Sequence, residues 1–297
     1  MEPREIAARV WPGGEAEVEE LGGGITNRNF KVTVDGEAFV LRIGGKDTAL
    51  LGIDRSVEHE ASLAAAQAGI GPEVIAFVEP EGWLVTRFVE GRPVPVKELH
   101  EPNWIRRVAG AIRAFHDSPA IPGRFDSFRV VDLYRETAER HGVGVPRAYG
   151  WAKGHADAIE RALGQRPKRP CHNDLLNANF IVDGERLWLV DWEYAGMGDP
   201  FFDLANFAVN HDLSEQGESE LLAAYSGNVS ESDREVLRLM RFMSDFREAM
   251  WGVVQEGISE LDFDFAAYAE EHFERLRRTA GDPVFETALD AASATNR

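Results

Sequence analysis

Apolar and acidic positions alternate over Ala16–Leu21, the period of a half-exposed strand. A second strand follows in residues 29–34 and, past an Asp35-Gly36 turn, a third in residues 37–43, an apolar run carrying one basic residue. Residues 54–68 switch to a helical stripe of Val57, Ala61, Ala64 and Ala68, which Gly69-Ile70-Gly71-Pro72 ends. Two more strands, residues 73–78 and 83–88, flank a Glu79-Pro80-Glu81-Gly82 turn, and Phe88-Val89-Glu90-Gly91 follows as a connection. Beyond it the helical period dominates. Residues 103–115 carry Ile105, Val108, Ala109, Ile112 and Phe115 on one face, and a proline-containing loop fills 118–130. Further helices are predicted over 131–140 and 147–163, from Pro200 onward, and over 215–225, 232–254, 265–279 and 284–292. The pattern predicts an α+β chain with a small lobe of five strands and one helix, residues 1–88, and a larger, mainly helical lobe, residues 89–297.

One stretch interrupts the helices, PCHNDLLNANFIVDGERLWLVDWEYAGMGDPFFDLAN over residues 170–206. Residues 179–182 are apolar and β-prone, Asp183-Gly184 reads as a two-residue turn, and residues 187–190 return. That hairpin brings Asn179, five residues after Asp174, back to the same end as Asp191. Phosphoryl transfer from a nucleotide needs a carboxylate to orient the attacking hydroxyl and take its proton. It also needs oxygen ligands that hold Mg²⁺ against the phosphates. Asp174, Asn179 and Asp191 supply that set. A lone Asp-x4-Asn is more often a polar loop; the hairpin and the second aspartate make the kinase reading the stronger one.

Two features upstream agree with it. Gly22-Gly23-Gly24-Ile25-Thr26-Asn27 lies between strands, where glycines let backbone N–H groups approach a phosphate. Arg42 is the one basic residue in an apolar third strand, where kinases place a cation on the nucleotide phosphates. Glu58 and Glu60 on the following helix are both candidates to pair with it.

HNDLLNANF and DWEYAGMGDPFFDLANF resemble the catalytic and metal segments of the choline/ethanolamine kinase family, relatives of the aminoglycoside phosphotransferases, and GGGITNRNF and FVLRI resemble its first lobe. The resemblance implies a two-lobed protein kinase-like fold that binds ATP and Mg²⁺ between the lobes, with Asp174 as catalytic base and Asn179 and Asp191 as metal ligands. It implies nucleotide contacts from Gly23, Gly24, Ile25, Thr26, Asn27 and Arg42, adenine hydrogen-bonded to backbone at Arg87 and Val89, and Glu58 rather than Glu60 as the partner of Arg42. Asp203 is implied as a structural support of the catalytic loop. MWGVVQEGISELDFDFAAYAEEHF is similar to the segment with which choline kinases enclose their substrate, so Trp251, Phe263 and Tyr268 are cage candidates, with Tyr194 and Glu193 of DWEY beside them. Rings suit a quaternary ammonium, which has no N–H to donate. One departure stands out: the family often has two tryptophans three residues apart, and Glu248 holds the earlier position here. On a helix Glu248, Trp251 and Gln255 share a face, so the carboxylate is expected to point at the acceptor.

Composition narrows the partners. The formal net charge of −19 argues against nucleic acid and anionic membranes, and is compatible with a small cationic alcohol. No apolar run approaches the length of a membrane span, no secretory signal is visible, and the single cysteine, Cys171, reads as packing in a reducing, cytoplasmic setting. The sequence therefore predicts an ATP-dependent kinase of choline or ethanolamine. Its rivals are a kinase of another small alcohol, such as thiamine or an aminoglycoside, and a nucleotide-binding pseudokinase without turnover.

Overall fold

The computed structural model describes residues 1–22, 26–184 and 186–295. The first lobe is an antiparallel sheet in the order β1-β2-β3-β5-β4, built from β1 (Ala16–Leu21), β2 (Asn27–Val34), β3 (Glu37–Gly44), β4 (Val74–Val78) and β5 (Trp83–Arg87). The helix α1 (Pro3–Val10), which the apolar pattern did not reveal, precedes it, started by a Glu2–Glu5 capping box and Pro3. Its Ile6 and Ala7 close a small core with Phe30, Val32, Val34, Phe39, Leu41 and Val85.

Between β3 and β4 runs α2 (Arg55–Gln67), capped by Asp54, whose side chain accepts from the N–H of Ser56 and of Val57. Its buried face is Glu58, Ala61, Ser62 and Ala65, not the Val57-Ala61-Ala64-Ala68 stripe read from the sequence. Alanines fix a helix's rotation weakly, and two arginines that bind Glu58 decide it instead.

The chain crosses between lobes at Gly91, where an added Cβ would lie 2.4 Å from the carbonyl oxygen of Val182. The short β6 (Arg92–Pro93) and α3 (Val96–Leu99) follow, both too brief to show a period. Next come α4 (Pro102–His116), α5 (Ser127–Arg140) and α6 (Ala148–Leu163). The helix α5 begins four residues before the predicted start, because Asp126 caps it by accepting from the N–H of Phe128.

The basic run Arg166-Pro167-Lys168-Arg169-Pro170, which reads from sequence as a solvated linker, is largely exposed and is also anchored by ion pairs. Arg166 pairs with Asp199 at 2.8 Å, and Arg169 pairs with Asp117 at the head of β7 (Arg169–Cys171). The hairpin is β8 (Phe180–Asp183) and β9 (Arg186–Leu189); Asp183, predicted as a turn residue, is the last residue of β8 and pairs with Arg186. After β10 (Gly196–Gly198), antiparallel to β7, the chain is helical: α7 (Pro200–Asn210), α8 (Glu215–Ser226), α9 (Glu231–Ile258), α10 (Phe265–Gly281) and α11 (Pro283–Thr295). The long α9, with α5, α6, α7, α10 and α11 packed around it, is the axis of this lobe. No helix among the described residues is long and apolar enough to cross a membrane.

Candidate active site

The loop after β7 is held by its neighbours before it does any chemistry. Asp203 on α7 accepts from the backbone N–H of His172 (2.8 Å) and of Asn173 (2.7 Å), and Asn206, one turn on, accepts from the N–H of Leu175 at 2.6 Å. His116 at the end of α4 bonds Asp203 through Nε2 and the Tyr225 hydroxyl through Nδ1. The His172 ring lies 3.0 Å from the Val190 carbonyl at Nε2 and 3.2 Å from the N–H of Asp174 at Nδ1, so Nε2–H donates and Nδ1 accepts. Burial favours this neutral form by pushing the His172 pKa down. Asn173 has φ +66° and Asp191 φ +69°, a left-handed backbone that non-glycine residues adopt at a cost. Asn173 is fixed there by its amide, which donates to the Tyr194 carbonyl at 2.9 Å.

Asp174 and the two proposed metal ligands converge as the hairpin predicted. The Asn179 amide donates to the Asp174 carbonyl at 2.8 Å, and the N–H of Val190 donates to the Asn179 carbonyl at 3.0 Å, which places Asn179 beside Asp191. An amide oxygen and a carboxylate next to a nucleotide-sized cavity fit Mg²⁺, which takes few protein oxygens and fills its remaining positions with phosphate and water. That cavity, about 470 Å³, is walled by Val40, Leu84, Phe88 and Ile181, with Arg42 and Asp191 at its polar end. Arg87 and Val89 line it too, while the Arg87 side chain turns away to Glu37 and Glu73.

At the polar end Arg42 donates through Nη1 to Glu58 Oε1 at 2.8 Å and Asp191 Oδ1 at 2.6 Å. Glu58 is 2% exposed and Glu60 is exposed, which decides between them. Burial alone would raise the Asp191 pKa; the charge and hydrogen bond of Arg42 outweigh it and hold the carboxylate below its ordinary value. Arg55, not singled out from the sequence, donates to Glu58 Oε2 at 2.6 Å, lies 3.3 Å from Glu193 Oε2 and bonds Asn27 Oδ1 at 2.7 Å. Of the predicted phosphate loop, Gly23, Gly24 and Ile25 lie outside the described residues. Its end, Thr26 and Asn27, donates to the two Glu193 oxygens at 2.6 and 2.8 Å. Glu193, expected beside the acceptor, is therefore turned toward the first lobe, because its oxygens are taken by donors there.

On the other side of Asp174 stands a residue that the sequence reading missed. Arg247 on α9 is 1% exposed, with Nη1 3.2 Å from Asp174 Oδ1 and 2.6 Å from Glu248 Oε1. Its guanidinium lies over the Tyr194 ring, Cζ 4.4 Å from the centroid. The signal was there: Met240, Met243, Phe246, Met250 and Val254 form the core face of α9, and position 247 falls on that face. Burial pushes the Asp174 pKa up to about 7, with Arg247 opposing and the charges of Glu248 and Asp191 adding to it. For Glu248 burial pushes upward, but the charges of Arg247 and His272 and the hydrogen bonds from Tyr268 and Arg247 together outweigh it and leave its pKa below the ordinary value.

The cage candidates gather, with changed roles. The Trp251 and Tyr268 centroids are 5.7 Å apart and those of Phe263 and Tyr268 6.1 Å; Phe263 is 50% exposed at the rim. Tyr194 sits behind them, its hydroxyl accepting from Trp251 Nε1 at 3.0 Å and one face covered by Arg247. Glu248 does not project freely beside Trp251. Its second oxygen accepts from the Tyr268 hydroxyl at 2.9 Å.

The profile of the Phosphotransferase enzyme family matches residues 17–240. Among solved structures, a choline/ethanolamine kinase family protein from Mesorhizobium loti is 31% identical, with a TM-score of 0.83 over 99% of this chain and 100% of that one. Among characterised sequences, Protein LicA of Haemophilus influenzae is 27% identical over 82% of this chain and 75% of its own. Ethanolamine kinase 2 of Mus musculus is 26% identical over 89% and 76%.

Proposed function

The chain belongs to the phosphotransferase enzyme family, among its choline/ethanolamine kinases, and on that premise we propose that it transfers the γ-phosphoryl group of ATP, with Mg²⁺, to the hydroxyl of choline, with ethanolamine the less favoured acceptor. One observation supports the acceptor class: the rings of Trp251, Tyr268 and Phe263 stand together on the α9–α10 side of Asp174, and Phe263 is half exposed. Ring faces bind a poorly hydrated cation, and its methyl groups gain from burial against them.

The residues divide the work. Asp174 orients the acceptor hydroxyl and takes its proton. Arg42, fixed by Glu58, faces the phosphates, and Thr26 and Asn27 cover them. Asn179 and Asp191 would hold Mg²⁺, which when bound neutralises phosphate charge. The walls of the cavity exclude water, and the rings align the acceptor with the base.

A second reading, an uncharged small alcohol, is favoured by Arg247, whose cation lies 3.2 Å from Asp174. A coupled ATP-turnover assay over choline, ethanolamine, thiamine, kanamycin and glycerol tests both. Turnover of choline above the others is expected; turnover of glycerol alone would replace the cationic reading.

A further inference from the structure

Resting on the reading of a cationic alcohol acceptor, we infer that Arg247 is a specificity-determining residue: as the built-in counter-ion of Glu248 it withholds that carboxylate from the acceptor, leaving the cationic head to the ring faces and favouring a quaternary over a primary ammonium.

The two cations differ in what they require. A primary ammonium is held by N–H donors to a carboxylate, bonds strengthened by charge, and it loses three strong water contacts if none is offered. A quaternary ammonium has no donor and gains from rings and burial alone. Glu248 lies on α9 three residues before Trp251 and contacts Tyr268, and each of its oxygens already has a protein donor, Arg247 Nη1 at 2.6 Å and the Tyr268 hydroxyl at 2.9 Å. An incoming ammonium would have to share Oε1 with a guanidinium of its own sign, inside a site where both residues are at most 2% exposed.

The neighbouring carboxylates offer no substitute among the described residues. Asp245 is held by His272 and Arg275, at 2.9 and 3.0 Å. Glu193 is held by Thr26, Asn27 and Arg55. Asp174 faces the reacting hydroxyl. The ring faces of Trp251 and Tyr268 and the exposed Phe263 remain, and these do not distinguish a head group by its hydrogens.

The readout is the ratio of kcat/KM for ethanolamine to that for choline, measured on the full chain. Arg247→Met, similar in length and uncharged, should raise the ratio about tenfold or more, through a fall in the ethanolamine KM, because Glu248 becomes available. Arg247→Lys keeps the cation and should leave the ratio within about twofold of wild type. Glu248→Gln in the wild-type background should also leave the ratio within about twofold, although absolute rates change. This arm stands even if Arg247→Met does not fold. A purely structural ion pair would lower kcat for both alcohols alike in Arg247→Met and leave the ratio unmoved, which overturns the inference. A selective loss of ethanolamine turnover in Glu248→Gln also overturns it, since Glu248 would then be the acceptor's own partner. If the wild type phosphorylates neither alcohol, the reading beneath falls and takes the inference with it.

Discussion

Arg42 reaches Asp191 across the cleft, Nη1 to Oδ1 at 2.6 Å, and the same nitrogen is held by Glu58 at 2.8 Å. Glu58 in turn holds Arg55 through its other oxygen, so one buried carboxylate balances two guanidinium groups. Removing it breaks two buried ion pairs at once and leaves Arg42 paired with Asp191 and Arg55 with Glu193; breaking a buried pair typically costs about 3–5 kcal/mol. Glu58→Ala should therefore lower Tm by several degrees and raise the KM for MgATP, while the acceptor KM stays near its wild-type value. Differential scanning calorimetry with initial rates checks this; a wild-type Tm would mean that Glu58 carries no structural charge.

Asp174 is buried and faces the acceptor side, with its carbonyl bonded to Asn179. Asp174→Asn keeps the shape and removes the proton acceptor. We expect kcat to fall by roughly 10²–10⁴-fold, with MgATP affinity retained. Turnover within about threefold of wild type would take the base assignment away from Asp174.

Acidification should act through the same group. Burial raises the Asp174 pKa to about 7, and the base works only when ionised. Initial rates at subsaturating acceptor and MgATP should therefore be flat above that value and fall about tenfold per pH unit below it. A profile flat to pH 5 would contradict the assignment.

Much of this site was legible because its chemistry is local in sequence. Asp174, Asn179 and Asp191 lie on one loop and hairpin, and a two-strand register is a short-range rule. Arg42 could be singled out because a cation in an apolar strand is anomalous. What escaped was set by long-range pairing. Arg247 meets Asp174 from 73 residues away, and Glu193 turns toward Thr26 from 167 residues away. Helical periodicity placed Glu248 on the face of Trp251 but carried no information about which cation already held it. The stripe of α2 was misread for the same reason, since its rotation follows the partners of Glu58 and not its alanines. Asp203 illustrates the opposite case: its support of the catalytic loop, implied by resemblance, has a direct geometric counterpart in its bonds to the N–H groups of His172 and Asn173.

Metal dependence should separate the two proposed ligands, Asn179 and Asp191. Asp191 offers a carboxylate, Asn179 only a neutral amide oxygen. Asp191→Ala should abolish turnover at any Mg²⁺ concentration, and Asn179→Ala should shift the Mg²⁺ titration to higher concentration and recover part of its rate there. A titration unchanged in both variants would make the hairpin a scaffold and not a metal site.

Trp251 tests the ring corner directly. Its indole N–H is committed to the Tyr194 hydroxyl at 3.0 Å, which fixes the plane of the ring, and Tyr268 stands nearly perpendicular to it at 70°. A ring so fixed binds a cation equally in the ground state and the transition state, because the charge on the head group does not change as the hydroxyl reacts. Uniform binding of this kind appears in KM and not in kcat. Trp251→Ala should accordingly raise the choline KM by about 2–30-fold, the equivalent of a cation–π contact of ~0.5–2 kcal/mol, with kcat within about threefold of wild type. Trp251→Phe keeps a ring face and loses the bond to Tyr194, so its KM should fall between the two. Steady-state kinetics of both variants with choline decides the matter. Equal KM values in wild type and Trp251→Ala would make the corner ordinary core and move the acceptor elsewhere in the cleft.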